Sequence, residues 1–116
     1  MYSQNSRWIS KRSNLITAIL LTASTCVYAG GSTPAEVEIQ GFKFIPQEIT
    51  VKVGTAIRWT NREKRQYHSV WFEQAGDPEP AYFFPEETYE RSFDKPGVYS
   101  YHCGPHPEMT GTVTVE

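Results

Sequence analysis

The sequence predicts an all-β fold, a Greek-key sandwich of antiparallel strands. Apolar and polar residues alternate through several short runs, turn residues separate those runs at close spacing, and no segment sustains a helical period. Val37 and Ile39 alternate with Glu36, Glu38 and Gln40, the pattern of a half-buried strand. The alternation runs on through Gly41-Phe42-Lys43-Phe44 until Pro46 interrupts it. Ile49, Val51 and Val53 alternate with Thr50 and Lys52, and Gly54-Thr55 turns the chain. Ala56 to Thr60 forms the next strand, ending at Asn61, and Ser69-Val70-Trp71-Phe72 reads as a short one. Glu73 to Glu87, with Pro78, Pro80 and Pro85, is a long loop with room for one helical turn. Thr88 to Phe93 is a strand closed by the turn residues Asp94-Lys95-Pro96-Gly97, and Val98 to Cys103 and Thr110 to Val115 complete the set.

Composition narrows the function classes. A chain of 116 residues has room for one domain, and 39% hydrophobic with 21% charged residues is ordinary for a packed core. A formal charge of −2 gives no electrostatic reason to expect a nucleic-acid partner. A large multidomain enzyme and a multi-span membrane protein are excluded by length.

Residues 1–29 read as a secretory signal peptide cleaved after Ala29, leaving 30–116 as the domain. Arg7, Lys11 and Arg12 supply the basic start, Leu15 to Ala23 the apolar centre, and Val27-Tyr28-Ala29 the small-residue end. An uncleaved anchor is the alternative, although the apolar run is well short of the roughly 20 residues a spanning helix needs. Cleavage removes three positive charges, Cys26 and Met1, taking the formal charge to −5 by difference. The exported chain then holds one cysteine, Cys103, and one methionine, Met109. An unpaired thiol in an oxidising compartment requires protection, and that need is the first functional clue.

The last hairpin carries the chemistry. Cys103-Gly104-Pro105-His106-Pro107-Glu108-Met109 puts a thiol, an imidazole and a thioether on one stiffened loop. A third strong donor must come from elsewhere, and His68, between the Trp59 and Val70 strands, is the candidate. One thiolate, two imidazoles and a weak thioether are the donor set of blue-copper sites. Zinc gains nothing from the methionine, and a strand end without a helix dipole is a poor place to activate a nucleophilic cysteine. His102 adjoins Cys103 on a strand, so its side chain faces the other way and serves structure or surface. Asn61 reads either as support for the site or as a turn residue.

Tyr99 to Met109, with its Cys-x-x-His-x-x-Met spacing, resembles the ligand loop of the cupredoxins in the short form found in amicyanin, and more broadly the plastocyanin type. The likeness extends through Glu87-Thr88-Tyr89, Lys95 to Tyr99, Val53-Gly54 and Trp59-Thr60-Asn61. The resemblance implies one type 1 copper held by His68, Cys103 and His106 with Met109 axial, cycling between Cu(I) and Cu(II). It also implies a monomeric periplasmic electron carrier, not an enzyme, that exchanges single electrons with redox proteins such as a c-type cytochrome or a periplasmic dehydrogenase. The runner-up is a copper-binding module that buffers or delivers metal. An oxidase or nitrite reductase would need further histidines, and the only spare one is His102.

Two departures from the family pattern stand out. The family commonly has Asn after the first histidine and Ser or Thr after the cysteine, whereas this chain has Ser69 and Gly104. The link those side chains make is therefore expected to be missing. Pro105 carries no N–H to offer the sulfur, which leaves the thiolate more electron-rich and favours Cu(II). The family also implies that His106 reaches the surface within a dry rim of Pro105, Pro107 and Met109. Arg62, Lys64 and Arg65, and the acids Glu73, Asp77, Glu79, Glu86, Glu87 and Glu90, read as solvated surface or as a docking patch for a charged redox partner.

Overall fold

The computed structural model describes residues 33–116; the proposed signal segment and its cleavage point lie outside the described residues. Seven strands form a four-stranded and a three-stranded sheet. The first sheet, in the order β2-β1-β4-β5, comprises β1 (Ala35–Gln40), β2 (Lys43–Ile45), β4 (Ala56–Asn61) and β5 (Thr88–Ser92). The second, in the order β3-β7-β6, comprises β3 (Glu48–Val51), β6 (Gly97–His102) and β7 (Thr110–Val115).

Both sheets are mixed rather than purely antiparallel as expected. β1 runs parallel to β4, and β3 runs parallel to β7. The cause is connectivity: β2 and β3 carry the chain across to the second sheet before β4 returns it alongside β1. Gly41 and Phe42 form a turn between β1 and β2, with φ of 60° and 56°, instead of continuing one strand. Ser69 to Phe72 is likewise no strand; single bridges tie it on two sides, His68 to Phe83 and Trp71 to His102. The long loop holds one 3₁₀ turn, Glu73–Ala75, closed by Gly76.

Alternation along the strands builds the core. Val37 and Ile39 from β1, Ile57 and Trp59 from β4, and Val113 and Val115 from β7 point inward with Phe44, Phe72, Phe83, Phe93 and Tyr101. Burying a side chain such as Phe72 contributes roughly 2–3 kcal/mol. Trp59 Nε1 donates to the Tyr101 hydroxyl at 3.2 Å, a buried bond joining the two sheets. Tyr101 lies flat on the strand opposite: a methyl built on Gly111 would stand 2.2 Å from its ring, so only glycine fits there. This interior is the floor of the site, because β1, β4 and β6 end, and β7 begins, at the same end of the sandwich.

Candidate metal centre

The segment from Asn61 to Ser69 is assembled by backbone bonding. Asn61 is fully buried, and its Nδ2 donates to the carbonyls of Gln66 (2.8 Å) and Phe83 (3.2 Å) while its Oδ1 accepts from Glu63 N–H (2.9 Å). Of the two readings of Asn61, support for the site-bearing loop is the one its contacts favour. His68 follows, fully buried, with its N–H donating to Phe83 C=O at 3.1 Å and its C=O accepting from Phe83 N–H at 2.9 Å. Three residues on, Trp71 and His102 exchange backbone bonds of 2.9 and 3.1 Å. The segment therefore spans the mouth between the two sheets, which sets His68 and Ser69 beside Cys103.

Cys103, His106 and Met109 lie on the β6–β7 loop. Cys103 N–H donates to Met109 C=O, and Met109 N–H donates to His106 C=O, both at 2.9 Å, so main-chain bonds close the loop on itself. Cys103 is fully buried and Met109 is 3% exposed, while His106 is half-buried. Met109 is accordingly core rather than surface rim. The exposed rings beside His106 are Phe42, edge-on at 5.1 Å, and Tyr67, inclined by 27° at 6.4 Å.

Two groups from the His68 segment reach the Cys103 sulfur. His68 Nδ1 lies 3.6 Å from Cys103 Sγ, and Ser69 N–H donates to the same sulfur at 3.3 Å. The His68 and His106 rings are 5.2 Å apart between centroids, and Phe42 packs edge-on against both. Among the described residues no three His, Cys, Asp or Glu side chains stand as a ready cage. The His68–Cys103 pair is the part already in place. Burial pushes the Cys103 thiol above its ordinary pKa, against the pull of the Ser69 and His106 main-chain N–H groups. Burial also pushes His68 below the ordinary histidine value, with Glu63 opposing.

These groups fit a soft metal. Nε2 of His106 is buried without a hydrogen-bond partner, a cost of about 1–3 kcal/mol unless another interaction offsets it, whereas His68 turns Nδ1 toward the sulfur and Nε2 toward Glu63. Glu63 Oε1 stands 3.4 Å from His68 Nε2, at charge-pair distance but outside hydrogen-bond geometry, and accepts from Phe42 N–H at 2.8 Å. A buried thiol beside one imidazole, a second imidazole ring 5.2 Å from the first, and a buried thioether on the thiol's own loop are donor types that copper prefers. Zinc would leave the thioether unused.

The sequence reading missed several contributors. Phe42, Glu63, Tyr67 and Glu79 reach the site from other loops, and only Gly41, a turn residue, signalled that Phe42 leaves the strand pattern. The link expected to be missing is present in altered form: Gly104 N–H donates to Ser69 Oγ at 2.8 Å. His102 faces away from the site as anticipated, packing on Trp71 at 5.0 Å with Glu73 3.5 Å from its Nε2. Much of the acidic loop is neutralised within the molecule, since Asp77 pairs with Arg91, Glu86 with Arg62 and Glu90 with Arg58.

The model of the copper binding proteins of the plastocyanin/azurin family matches residues 32–116. The chain is 41% identical over 90 residues to amicyanin-alpha of Methylorubrum extorquens, covering 74% of this chain and 73% of that protein. It is 40% identical over 84 residues to amicyanin of Paracoccus denitrificans, covering 69% and 63%. The crystal structure of amicyanin from Paracoccus versutus superposes with a TM-score of 0.68 at 31% identity, covering 73% of this chain and 83% of that one. A copper-containing nitrite reductase from Thermus scotoductus superposes at 0.61 and 27% identity over 72% of this chain but 22% of that one. The chain belongs to the plastocyanin/azurin family of copper-binding proteins, and within it is similar to the amicyanins.

Proposed function

We propose that this chain is a type 1 copper electron-transfer protein, exported by its first 29 residues to work in the periplasm. His68, Cys103 and His106 hold the metal as equatorial ligands and Met109 as the weak axial one. Copper, when bound, supplies one-electron exchange between Cu(I) and Cu(II). The chain's own residues set its surroundings. The backbone ties of His68 fix the imidazole, Ser69 N–H holds the sulfur, and Phe42 and Tyr67 keep water from the His106 side. The observation that carries this reading is His68 Nδ1 3.6 Å from a buried, unpaired Cys103 sulfur, on a floor packed by Tyr101 and Phe44.

Electron traffic with a partner passes at His106, the one half-buried ligand. A c-type cytochrome or a periplasmic dehydrogenase fits such a contact, which needs only a small dry patch and weak binding. The chain itself turns over no substrate: His102, the histidine left over, is committed to Glu73 and Trp71 on the far side of β6. Among the described residues no helix is long and apolar enough to cross a membrane. Protein-film voltammetry of the copper-loaded domain tests the reading. A reversible one-electron wave, with metal retained over many cycles, is expected; loss of copper on each reduction would instead mark a delivery module.

A further inference from the structure

We propose that Ser69 and Gly104 act as a matched pair of positioning residues, a hydroxyl-to-backbone lock that fixes the His68 and Cys103 segments relative to each other. Each of these residues directly follows a proposed ligand, and each departs from the family's usual choice. Gly104 N–H donates to Ser69 Oγ at 2.8 Å, and Ser69 N–H donates to Cys103 Sγ at 3.3 Å. The two bonds run in opposite senses between the same two segments, so neither segment can slide without breaking one of them. Ser69 is fully buried, which removes water as a substitute partner for its hydroxyl.

Glycine at 104 is the other half of the device. A methyl built there would stand 2.8 Å from Ser69 Oγ and 2.7 Å from Glu79 Oε1. Any side chain would displace the hydroxyl from its bond. Glu79 closes the outer side, its Oε1 also 3.2 Å from the Tyr82 hydroxyl, but it is an exposed side chain that can swing into solvent. The obstacle that matters is therefore Ser69 Oγ. The family's paired side chains have been replaced here by one side chain and one main-chain donor. A link expected to be lost is kept with both partners smaller than the family's usual pair.

A double-mutant cycle on the metal-free protein tests the lock independently of copper. Ser69→Ala and Gly104→Ala are each expected to lower the folding equilibrium constant about fivefold to tenfold, the worth of one buried hydrogen bond. The double variant should lose little more than either single one, because without the hydroxyl a methyl at 104 meets only a movable carboxylate. Losses that multiply would overturn the pairing. Amide exchange in the unaltered protein gives a second arm that needs no variant to fold: Gly104 N–H should be protected as strongly as strand amides, and fast exchange there would refute the bond. Positioning, as distinct from mere stability, is read from copper-loaded Ser69→Ala, whose sulfur-to-copper absorption should shift; an unmoved spectrum would confine the pair to a structural role and sink the positioning claim. That last arm rests on the proposed ligand set. Should the unaltered protein show no such band, the ligand set fails while the folding and exchange arms still decide the lock.

Discussion

The two histidines of the proposed site have rings 5.2 Å apart but are held in different ways. His68 is fully buried, bonded to Phe83 through both its N–H and its C=O, and approached by a loop that Asn61 ties down. His106 is half-buried, its carbonyl bonded only to Met109 of its own loop, its ring flanked by the exposed rings of Phe42 and Tyr67. The contrast teaches a division of labour. One imidazole belongs to the core and sets the geometry, while the other belongs to the surface and gives access. An electron carrier needs both, because an immobile site keeps reorganisation small and a reachable ligand lets a partner couple to it.

Removing each histidine in turn should break the symmetry most strongly. In the metal-free protein His68→Gly is expected to cost about 3 kcal/mol, since it leaves a buried hole among packed rings. His106→Gly should cost less than about 1 kcal/mol and keep some copper affinity, because its place opens to solvent. Denaturant titration of both variants measures the difference; equal losses would contradict the division.

The rigidity on the His68 side depends on the floor beneath it, which pH can probe. Burial pushes the Tyr101 hydroxyl up to about 12, so the folded state holds that proton after the unfolded chain, titrating near 10, has released it. Stability is full below pH 10 and falls as pH rises through about 12, by roughly 2–3 kcal/mol from this group. Tyr101→Phe should flatten that decline in a pH series of urea midpoints, while leaving Trp59 Nε1 without its acceptor at every pH.

What could be read beforehand divides along the same line. Strict alternation marks β7 at Thr110–Val115 without error, and Cys103, His106 and Met109 announce themselves by spacing on one loop. Parallel pairing of β1 with β4 leaves no local trace, because an alternating strand looks the same whichever neighbour it meets. The segment Ser69 to Phe72 carries strand-like residues yet makes only isolated bridges, since it crosses between sheets instead of joining one. Phe42 and Glu63 lie 26 and 5 residues before His68, by subtraction of their numbers, and nothing in the local pattern says that a turn and a carboxylate will meet there.

The smallest expected effects concern the outer side. Tyr67→Ala, at a 40% exposed position, should change stability by less than about 0.5 kcal/mol and leave the site's absorption in place. It should nonetheless slow electron self-exchange a few-fold, read by NMR line broadening in mixtures of oxidised and reduced protein; an unchanged rate would move the contact away from this face. Electron transfer to a positively charged redox protein should also depend only shallowly on salt, because Arg91, Arg62 and Arg58 already neutralise Asp77, Glu86 and Glu90. A steep fall would restore the acidic loop as a steering surface.

The absorption spectrum of the copper-loaded domain, recorded beside that of Cys103→Ser, bears on the central claim most directly. An intense visible band from thiolate-to-Cu(II) charge transfer is expected, and it should be absent from the Cys103→Ser protein. A colourless protein after cupric titration, or a band that survives loss of the sulfur, would contradict it.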